Sequence, residues 1–580
     1  MSQLQIWAPR VQRVELGIHG RRCPLRPRDD GYHQLPHGSL SHGQDYLLWL
    51  DDEGPFPDPR SPWQPQGVSG PSRHLDHRLF PWRHREWQQI PWQQAVIYEL
   101  HVGTFTPAGT FDAAQQKLPH LKRLGITHIE LMPVAEFPGR RSWGYDGVNL
   151  FSPHHGYGGP EGMKRFVDAC HERGFNVIVD VVYNHLGPVG NHLGRFGPYF
   201  SPIHHTPWGD GVNLDGPGSD EVRRFFIDNA FMWLRDYHVD GLRIDAVHSL
   251  PDLSAFPFVE QLTTEVAALG RETGRKLVLI AESNANNPRL VLPPDRGGQG
   301  FDAQWNDDFH HALHALLTNE NAGYYKDFGR VEDLARVLRG NYCYDYRYSY
   351  HRRRHYGRPA TDLAGSCFVA GLQNHDQIGN RATGERIGQL VTPAQARLGA
   401  AVTLLSPFVP MLFQGEEWSA TTPFQFFTDF GIAELREQIH KGRQLEFAGF
   451  GYDPEILPDA EAEETWHASQ LRWQEAEPGA DGCMLGWYQA LIALRAEQAD
   501  LQAGALDPDG VRFDEQRRWL KFRRGRFDVY CNLAAQAQTL DLDPVRAANI
   551  RLASTEEVSL HETHVHLPAH SVAVIEDKQS

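Results

Sequence analysis

The run Asp240-Gly241-Leu242-Arg243-Ile244-Asp245-Ala246-Val247-His248 sets an arginine and an acid two positions apart in an otherwise apolar stretch. Read as a short strand, it puts Leu242 and Ile244 on one face and Arg243 and Asp245 on the other. A carboxylate beside a guanidinium stays ionised, which suits a reacting group and a structural ion pair alike. On this segment alone neither reading wins. Three more acids bear on the choice: Asp180 in Asn176–Val182, Glu282 after Leu277–Ala281, and Asp376 after the segment that opens at Ser366. Each ends a strand-like run, and the C-terminal rim of a parallel barrel is where such a fold carries its active site. Adjacent strands lie about 4.8 Å apart. Asp245 and Glu282 on neighbouring strands would therefore face each other at roughly 5–5.5 Å, the spacing of a retaining glycosidase; an inverting one needs a wider gap for water. Asp376, from across the barrel, adds negative charge near a developing oxocarbenium ion. With Asp245 it would hold Glu282 protonated as an acid. Taken singly, Asp180, His185 and His375 fit a turn, a cap or a core as well as a site. Their joint placement at strand ends is what a purely structural reading leaves unexplained.

The elements that must position these groups follow from periodicity. From Ala95 onward, strand-like runs alternate with helical ones, the mark of βα units and a parallel sheet. The expected strands are 95–100, 127–132, 176–182, 240–248, 277–282, 301–308, 366–376 and 408–413, enough to close a (β/α)8 barrel. Helices are expected around Leu118, Leu121 and Leu124, over 161–173 with Gly174 as the stop, and from Asp220, whose apolar face carries Val222, Phe225, Phe226 and Trp233. The segment 185–219 is rich in Gly, Pro and His and reads as a long functional loop. Before the barrel, Val14, Leu16 and Ile18 alternate with other residues, and Asp45–Leu50 is a second strand candidate. They imply a small β-sandwich that a Pro-rich linker, 55–71, leads out of along a surface. After about Asp500, alternation of Leu520, Phe522, Phe527 and Val529 about a turn at 523–526, and again of Val572 and Val574, implies a second sandwich. The expected domains are 1–93, 94–500 and 501–580.

At 580 residues the chain exceeds one compact core, and 41% hydrophobic with 22% charged residues is ordinary for a soluble globular protein. A net charge of −17 without a Lys/Arg-rich block argues against nucleic acid and for a neutral substrate. Six scattered cysteines with no CxxC spacing argue against zinc and against a disulfide framework. No apolar run is long enough to span a bilayer, and Met1-Ser2-Gln3-Leu4-Gln5 opens no signal sequence, so a cytoplasmic protein is expected, with no membrane partner.

Asp180-Val181-Val182-Tyr183-Asn184-His185, Gly241-Leu242-Arg243-Ile244-Asp245, the Glu282 strand and Asn374-His375-Asp376 resemble, in order and strand placement, the four motifs of the α-amylase superfamily. The resemblance implies that Asp245 is the nucleophile, Glu282 the acid/base and Asp376 the transition-state stabiliser. Arg243 would orient Asp245, His185 and His375 would bind sugar hydroxyls, and Tyr145 would stack on the ring being cleaved. Asp180 and Asn184 would complete that subsite. Within the superfamily the chain is most similar to the maltooligosyltrehalose trehalohydrolases, on 57–65, 136–148, Arg243–His248, Asp307-Asp308-Phe309-His310-His311, His375-Asp376-Gln377-Ile378-Gly379-Asn380 and Phe427-Thr428-Asp429-Phe430. The last eighty or so residues match only in domain type. This likeness implies an α-glucan substrate ending in trehalose, and a place after a maltooligosyltrehalose synthase. Trehalose recognition would fall to His248, Asp308, His311, Gln377 and Glu417, with Asp307, His310 and Asn380 as further substrate-binding residues. The chemistry requires no cofactor and no metal, although some relatives bind calcium near the loop after the third strand, where Asn184 and Asp210 lie.

Two other readings stay open at this stage. A glucan branching or debranching enzyme shares the architecture; the 143–148 segment and His248 favour the hydrolase. A non-catalytic carbohydrate-binding protein would be expected to lack one or more of Asp245, Glu282 and Asp376, and all three are present.

Overall fold

The computed structural model describes residues 4–36, 38–448, 452–476, 482–542 and 548–577; Met1–Gln3 of the amino-terminal reading and the side chain of Cys483 lie outside them. Eight parallel strands close a barrel in chain order: β1 (Ile97–Leu100), β2 (His128–Leu131), β3 (Asn176–Val181), β4 (Gly241–Ile244), β5 (Val278–Ala281), β6 (Ala303–Trp305), β7 (Phe368–Gly371) and β8 (Val409–Phe413). All eight expected runs contain their strand, with looser ends than observed. Side chains alternate across the wall. Ile97, Ile178, Val278, Ile280, Ala303, Trp305, Val369, Val409 and Met411 pack together inside the barrel. Tyr98, Ile129, Val179, Leu242, Ile244, Leu279 and Leu412 join the larger core between wall and helices.

On β4 this alternation decides how each face contributes. Leu242 and Ile244 are 0% exposed, worth roughly 1.5–3 kcal/mol each in burial. Arg243, also 0% exposed, is a buried charge whose desolvation its partners must offset, so the inner face is costly as a stability element. The return from helix to strand is fixed by local chemistry. The helix Gly159–Glu172 ends where Gly174 takes φ +76°, with Gly174 N–H donating to the His171 carbonyl and Phe175 N–H to that of Cys170. That stop delivers the chain into β3.

Two expectations need correction. The segment 185–219 is not a plain loop: it holds a short helix, Leu193–Phe196, and an antiparallel hairpin, Phe200–Thr206 with Gly209–Val212. Pro202 and the paired His204-His205 mask its alternation. The 55–71 run, expected as a linker along a surface, sinks partly into it. Asp58, Ser61 and Gln64 are buried, the Tyr46 hydroxyl donates to Asp58 Oδ2 at 2.8 Å, and Gln64 N–H donates to Ser152 Oγ at 2.9 Å.

Before the barrel stand two small antiparallel sheets, one of Gln5–Trp7, Tyr32–Gln34 and Arg26–Pro27, the other built around Val14–Ile18 and Asp45–Leu50. After it, a five-stranded sheet centred on Phe527–Asn532 and Ser571–Asp577 faces a three-stranded sheet. Tyr530, Leu540, Val565, Leu567 and Ile575 pack between them. Cys23, Cys170, Cys343, Cys367 and Cys531 are free. Among the described residues no helix is long and apolar enough to cross a membrane.

Candidate active site

The site is organised by Arg243. Its Nη1 donates to Asp245 Oδ1 at 2.7 Å and to both carboxylate oxygens of Asp180 at 3.0 and 2.9 Å. Its guanidinium lies 4.2 Å from the centre of the Trp305 ring. Its Nη2 is 3.9 Å from Glu282 Oε2 and, like Nε, has no hydrogen-bond partner.

Asp245 and Glu282 are held in register. Ile244 pairs with Ala281 across β4 and β5, so the next residue of each strand stands opposite the other. Immediately after Asp245 the backbone turns sharply: Ala246 has φ +40° and ψ 52°, a left-handed conformation that costs a non-glycine residue roughly 1–2 kcal/mol. The turn aims the Ala246 N–H at Glu282 Oε2, 2.6 Å away. Burial pushes Glu282 up to about 8 against the pull of Arg243, helped by the charges of Asp245, Asp307 and Asp376. At neutral pH this favours the protonated carboxyl, the form that a general acid needs. Asp376 lies in the short helix His375–Gly379 after β7, half exposed, with Oδ1 3.5 Å from His375 Nε2.

Tyr145 joins the two sides. Its hydroxyl donates to Asp180 Oδ2 at 2.6 Å and lies 2.8 Å from His375 Nε2, while its ring stacks on the His375 ring at 5.2 Å. Burial raises Asp180 to about 7 in spite of Arg243. His185 Nε2 donates to the Tyr145 carbonyl at 3.0 Å, and burial lowers its pKa. Asn184 is fully buried with neither amide atom hydrogen-bonded.

Of the remaining expected residues, some face this cleft. Asp307 is raised to about 6 by burial and by the charges of Asp376 and Asp308. His248 is exposed just past Asp245, His311 stacks on Tyr324 at 4.6 Å, and Gln377 Oε1 is buried without a partner. Asn380 lines a neighbouring cavity of about 250 Å³ with Tyr324, Arg381 and Tyr452.

Three expected residues have their polar atoms engaged by the protein instead. Asp308 accepts from Asn286 Nδ2 and from the backbone of Cys343 and Tyr344 at 2.7–2.8 Å. His310 bonds the Leu372 carbonyl at 2.8 Å and the Tyr325 hydroxyl at 2.9 Å. Glu417 accepts from the Tyr98 hydroxyl at 3.2 Å and His120 Nε2 at 2.8 Å. Tyr98 points outward from β1, so Glu417 lies behind the barrel wall. These polar atoms are turned to protein partners, a matter of side-chain direction that spacing along the chain does not show.

The sequence reading also missed groups. A cavity of about 530 Å³ adjoins Tyr145 and His185 and is lined by Trp143, Trp208, Phe426 and Phe430. Trp208, 52% exposed at the hairpin tip, stacks on His185 at 4.8 Å. Aromatic faces of this kind suit pyranose rings. A tryptophan in the turn Pro207-Trp208-Gly209 was the available signal. Inside the barrel, Glu99 and Glu130 are each 1% exposed, acids in otherwise apolar strand runs.

The model of the alpha amylase catalytic domain matches residues 80–193, and that of a domain of unknown function, DUF3459, matches 510–574. Along 99% of its length the chain is 46% identical to the malto-oligosyltrehalose trehalohydrolase of Rhizobium sp. (strain M-11), covering 98% of that protein. It is 47% identical to the enzyme of the same name from Arthrobacter ramosus, over 90% of this chain and 91% of that one. A crystal structure of a Salmonella typhimurium protein named as an alpha amylase superposes with a TM-score of 0.90 at 36% identity, covering 99% of this chain and 97% of the other.

Proposed function

The chain belongs to the malto-oligosyltrehalose trehalohydrolase family of α-amylase-type glycoside hydrolases, and from that membership we propose that it frees trehalose from maltooligosyltrehalose. The bond cut is the α-1,4 linkage next to the trehalose unit, and a maltooligosaccharide is the other product. The observation that carries the reading is the facing pair on β4 and β5: Asp245 held by Arg243, and Glu282 kept protonated beside it.

The pair supports double displacement. Asp245 attacks the anomeric carbon while Glu282 gives its proton to the departing C4 oxygen of trehalose. A glycosyl ester forms on Asp245 as the glycosidic bond breaks. Glu282, now a carboxylate, takes a proton from water, whose oxygen attacks the same carbon and releases Asp245. Asp376 supports the positive charge of each transition state. Tyr145, His185 and His375 line the ring being cleaved, with Asp180 and Asn184 supporting them.

The aromatic cavity beyond Tyr145 and His185 suits the glucan chain. Trehalose then meets the other side, with His248, Asp307, His311 and Gln377. Hydroxyl-bonding groups discriminate because an ill-matched ligand leaves buried polar atoms unpaired. The segments 1–93 and 501–580 serve as flanking domains of a cytoplasmic enzyme, supplied by a maltooligosyltrehalose synthase.

Specificity constants on maltooligosyltrehalose and on maltooligosaccharide of equal length test the reading. The first is expected to exceed the second by well over tenfold, about 1.4 kcal/mol or more. Equal constants, or products with new branch points, would move the chain to an amylase or branching activity.

A further inference from the structure

Glu99 has no part in the reaction as derived so far. It points from β1 into the barrel, with Oε1 2.5 Å from His375 Nδ1 and Oε2 accepting the His375 backbone N–H at 3.1 Å. From there a hydrogen-bonded chain crosses the site. His375 Nε2 meets the Tyr145 hydroxyl at 2.8 Å, which meets Asp180 Oδ2 at 2.6 Å. Arg243 Nη1 follows at 2.9 Å, and Asp245 Oδ1 at 2.7 Å. The nucleophile is thus tied to a buried acid on the far side of the barrel.

Proton counting fixes the direction of each link. Tyr145 has one hydroxyl hydrogen, and the Asp180 carboxylate takes it, so the phenol oxygen must accept from His375 Nε2–H. His375 Nδ1 faces Glu99 Oε1, whose charge pulls the ring's pKa up, so Nδ1 carries a proton too. Both ring nitrogens are then protonated and the ring is a cation. Burial works against that charge, but Glu99 and Asp376 outweigh it and hold His375 up to about 9. The other groups facing the ring or its partner are Arg243, His101, Asp180 and Tyr145, with Glu130 from β2. Glu130 is kept neutral by burial, and its oxygens have no partner.

We infer that Glu99 is a positioning residue for the nucleophile. By holding a proton on each nitrogen of His375, it commits the Tyr145 hydroxyl to Asp180 and so, through Arg243, fixes the orientation of Asp245. A glutamine at 99 could still accept from Nδ1–H but would supply no charge. His375 would become neutral and Nε2 an acceptor, free to draw the Tyr145 hydrogen away from Asp180. Lowering the pH would recharge the ring and return its Nε2 to the donor role.

The inference rests on the hydrolase reading above, and its test separates the two. Wild type, Glu99→Gln, His375→Gln and the double variant are compared between pH 5 and 9.5 on maltooligosyltrehalose and on maltopentaose. If the hydrolase reading fails, the wild type cleaves both substrates equally, forms branched products or cleaves neither. If the inference holds, Glu99→Gln loses about 10²-fold in kcat at pH 8, the scale of a charge-assisted hydrogen bond, with KM within about threefold. That loss shrinks toward pH 5, and in the His375→Gln background Glu99→Gln adds less than about threefold. A loss of constant size across pH, or one undiminished in the His375→Gln background, overturns it. Nitrogen-15 NMR of the wild type needs no turnover. The signals absent from His375→Gln should report two protonated ring nitrogens up to pH 8, and a bare Nε2 at neutral pH contradicts the inference.

Discussion

Two clusters of buried acids lie on opposite sides of the same barrel wall, and they use their polar atoms differently. Inside, Asp180, Asp245 and Glu282 surround Arg243, and hydrogen-bonding capacity is left over: Arg243 Nε and Nη2, both amide atoms of Asn184, His185 Nδ1 and Gln377 Oε1 have no partner. Outside, the carboxyls of Glu416 and Glu417 are themselves satisfied, although Arg386 Nη2 and Trp418 Nε1 beside them have no partner. Tyr98 and His120 hold Glu417, while Glu416 accepts from the Tyr488 hydroxyl at 2.9 Å and Phe413 N–H at 3.4 Å. Burial pushes Glu416 up to about 8, as it does Glu282. A raised acid therefore does not by itself distinguish a catalytic carboxyl from a structural one. Unspent hydrogen-bonding capacity around an open cleft does, because a native interior rarely leaves such groups unpaired unless something else is to meet them.

The contrast can be broken most forcefully at Asp245. Asp245→Asn keeps the shape and removes the charge that captures the glycosyl group, so turnover should fall by at least about 10³ with binding of substrate retained. Steady-state kinetics and calorimetric titration would show it; near-normal turnover would place the nucleophile elsewhere.

Glu282→Gln comes next, with a loss of about 10²–10⁴ and disappearance of the alkaline limb of the rate profile. The same substitution has a stability signature. Glu282 shifts from 4.5 to about 8 on folding. Between those values the folded chain keeps a proton that the unfolded chain releases, so rising pH costs stability across that window and costs none below it. The glutamine variant escapes the cost, and its Tm should exceed that of the wild type by about 3 °C more at pH 8 than at pH 4.5. A residual activity that keeps the alkaline limb would mean another group is the acid.

Glu417→Ala sharpens the comparison from the outer side. Removing one partner of a buried pair leaves Tyr98 and His120 unsatisfied, at about 3–5 kcal/mol in stability. The ratio of specificity constants for maltooligosyltrehalose and plain glucan should not change, since Glu417 faces helices rather than substrate. A narrowed ratio without loss of stability would return Glu417 to the trehalose subsite.

The barrel and the central acids were legible because period-two alternation in β3, β4 and β5 marks both the apolar face and the polar one that turns inward. Past the last paired residue that rule lapses. Asp307 and Asp308 are adjacent acids of the same type, yet only Asp307 faces the cleft, and nothing in their spacing says which. Glu417 is a like case, since nothing in its spacing shows that its carboxyl turns to Tyr98 and His120. The hairpin at 200–212 was hidden by a proline and paired histidines in one of its strands. Glu99 was visible as an acid in an apolar strand, but its value depends on His375, which arrives from β7 and is close only in the fold.

The central claim is that Asp245 and Glu282, paired across β4 and β5, cut with retention and set trehalose free. Proton NMR of the first minutes of reaction on maltooligosyltrehalose tests it most directly. The account predicts trehalose and, in equal amount, a maltooligosaccharide whose new reducing end appears first as the α-anomer. Initial β-anomer, or a maltooligosaccharide released without trehalose, would contradict it.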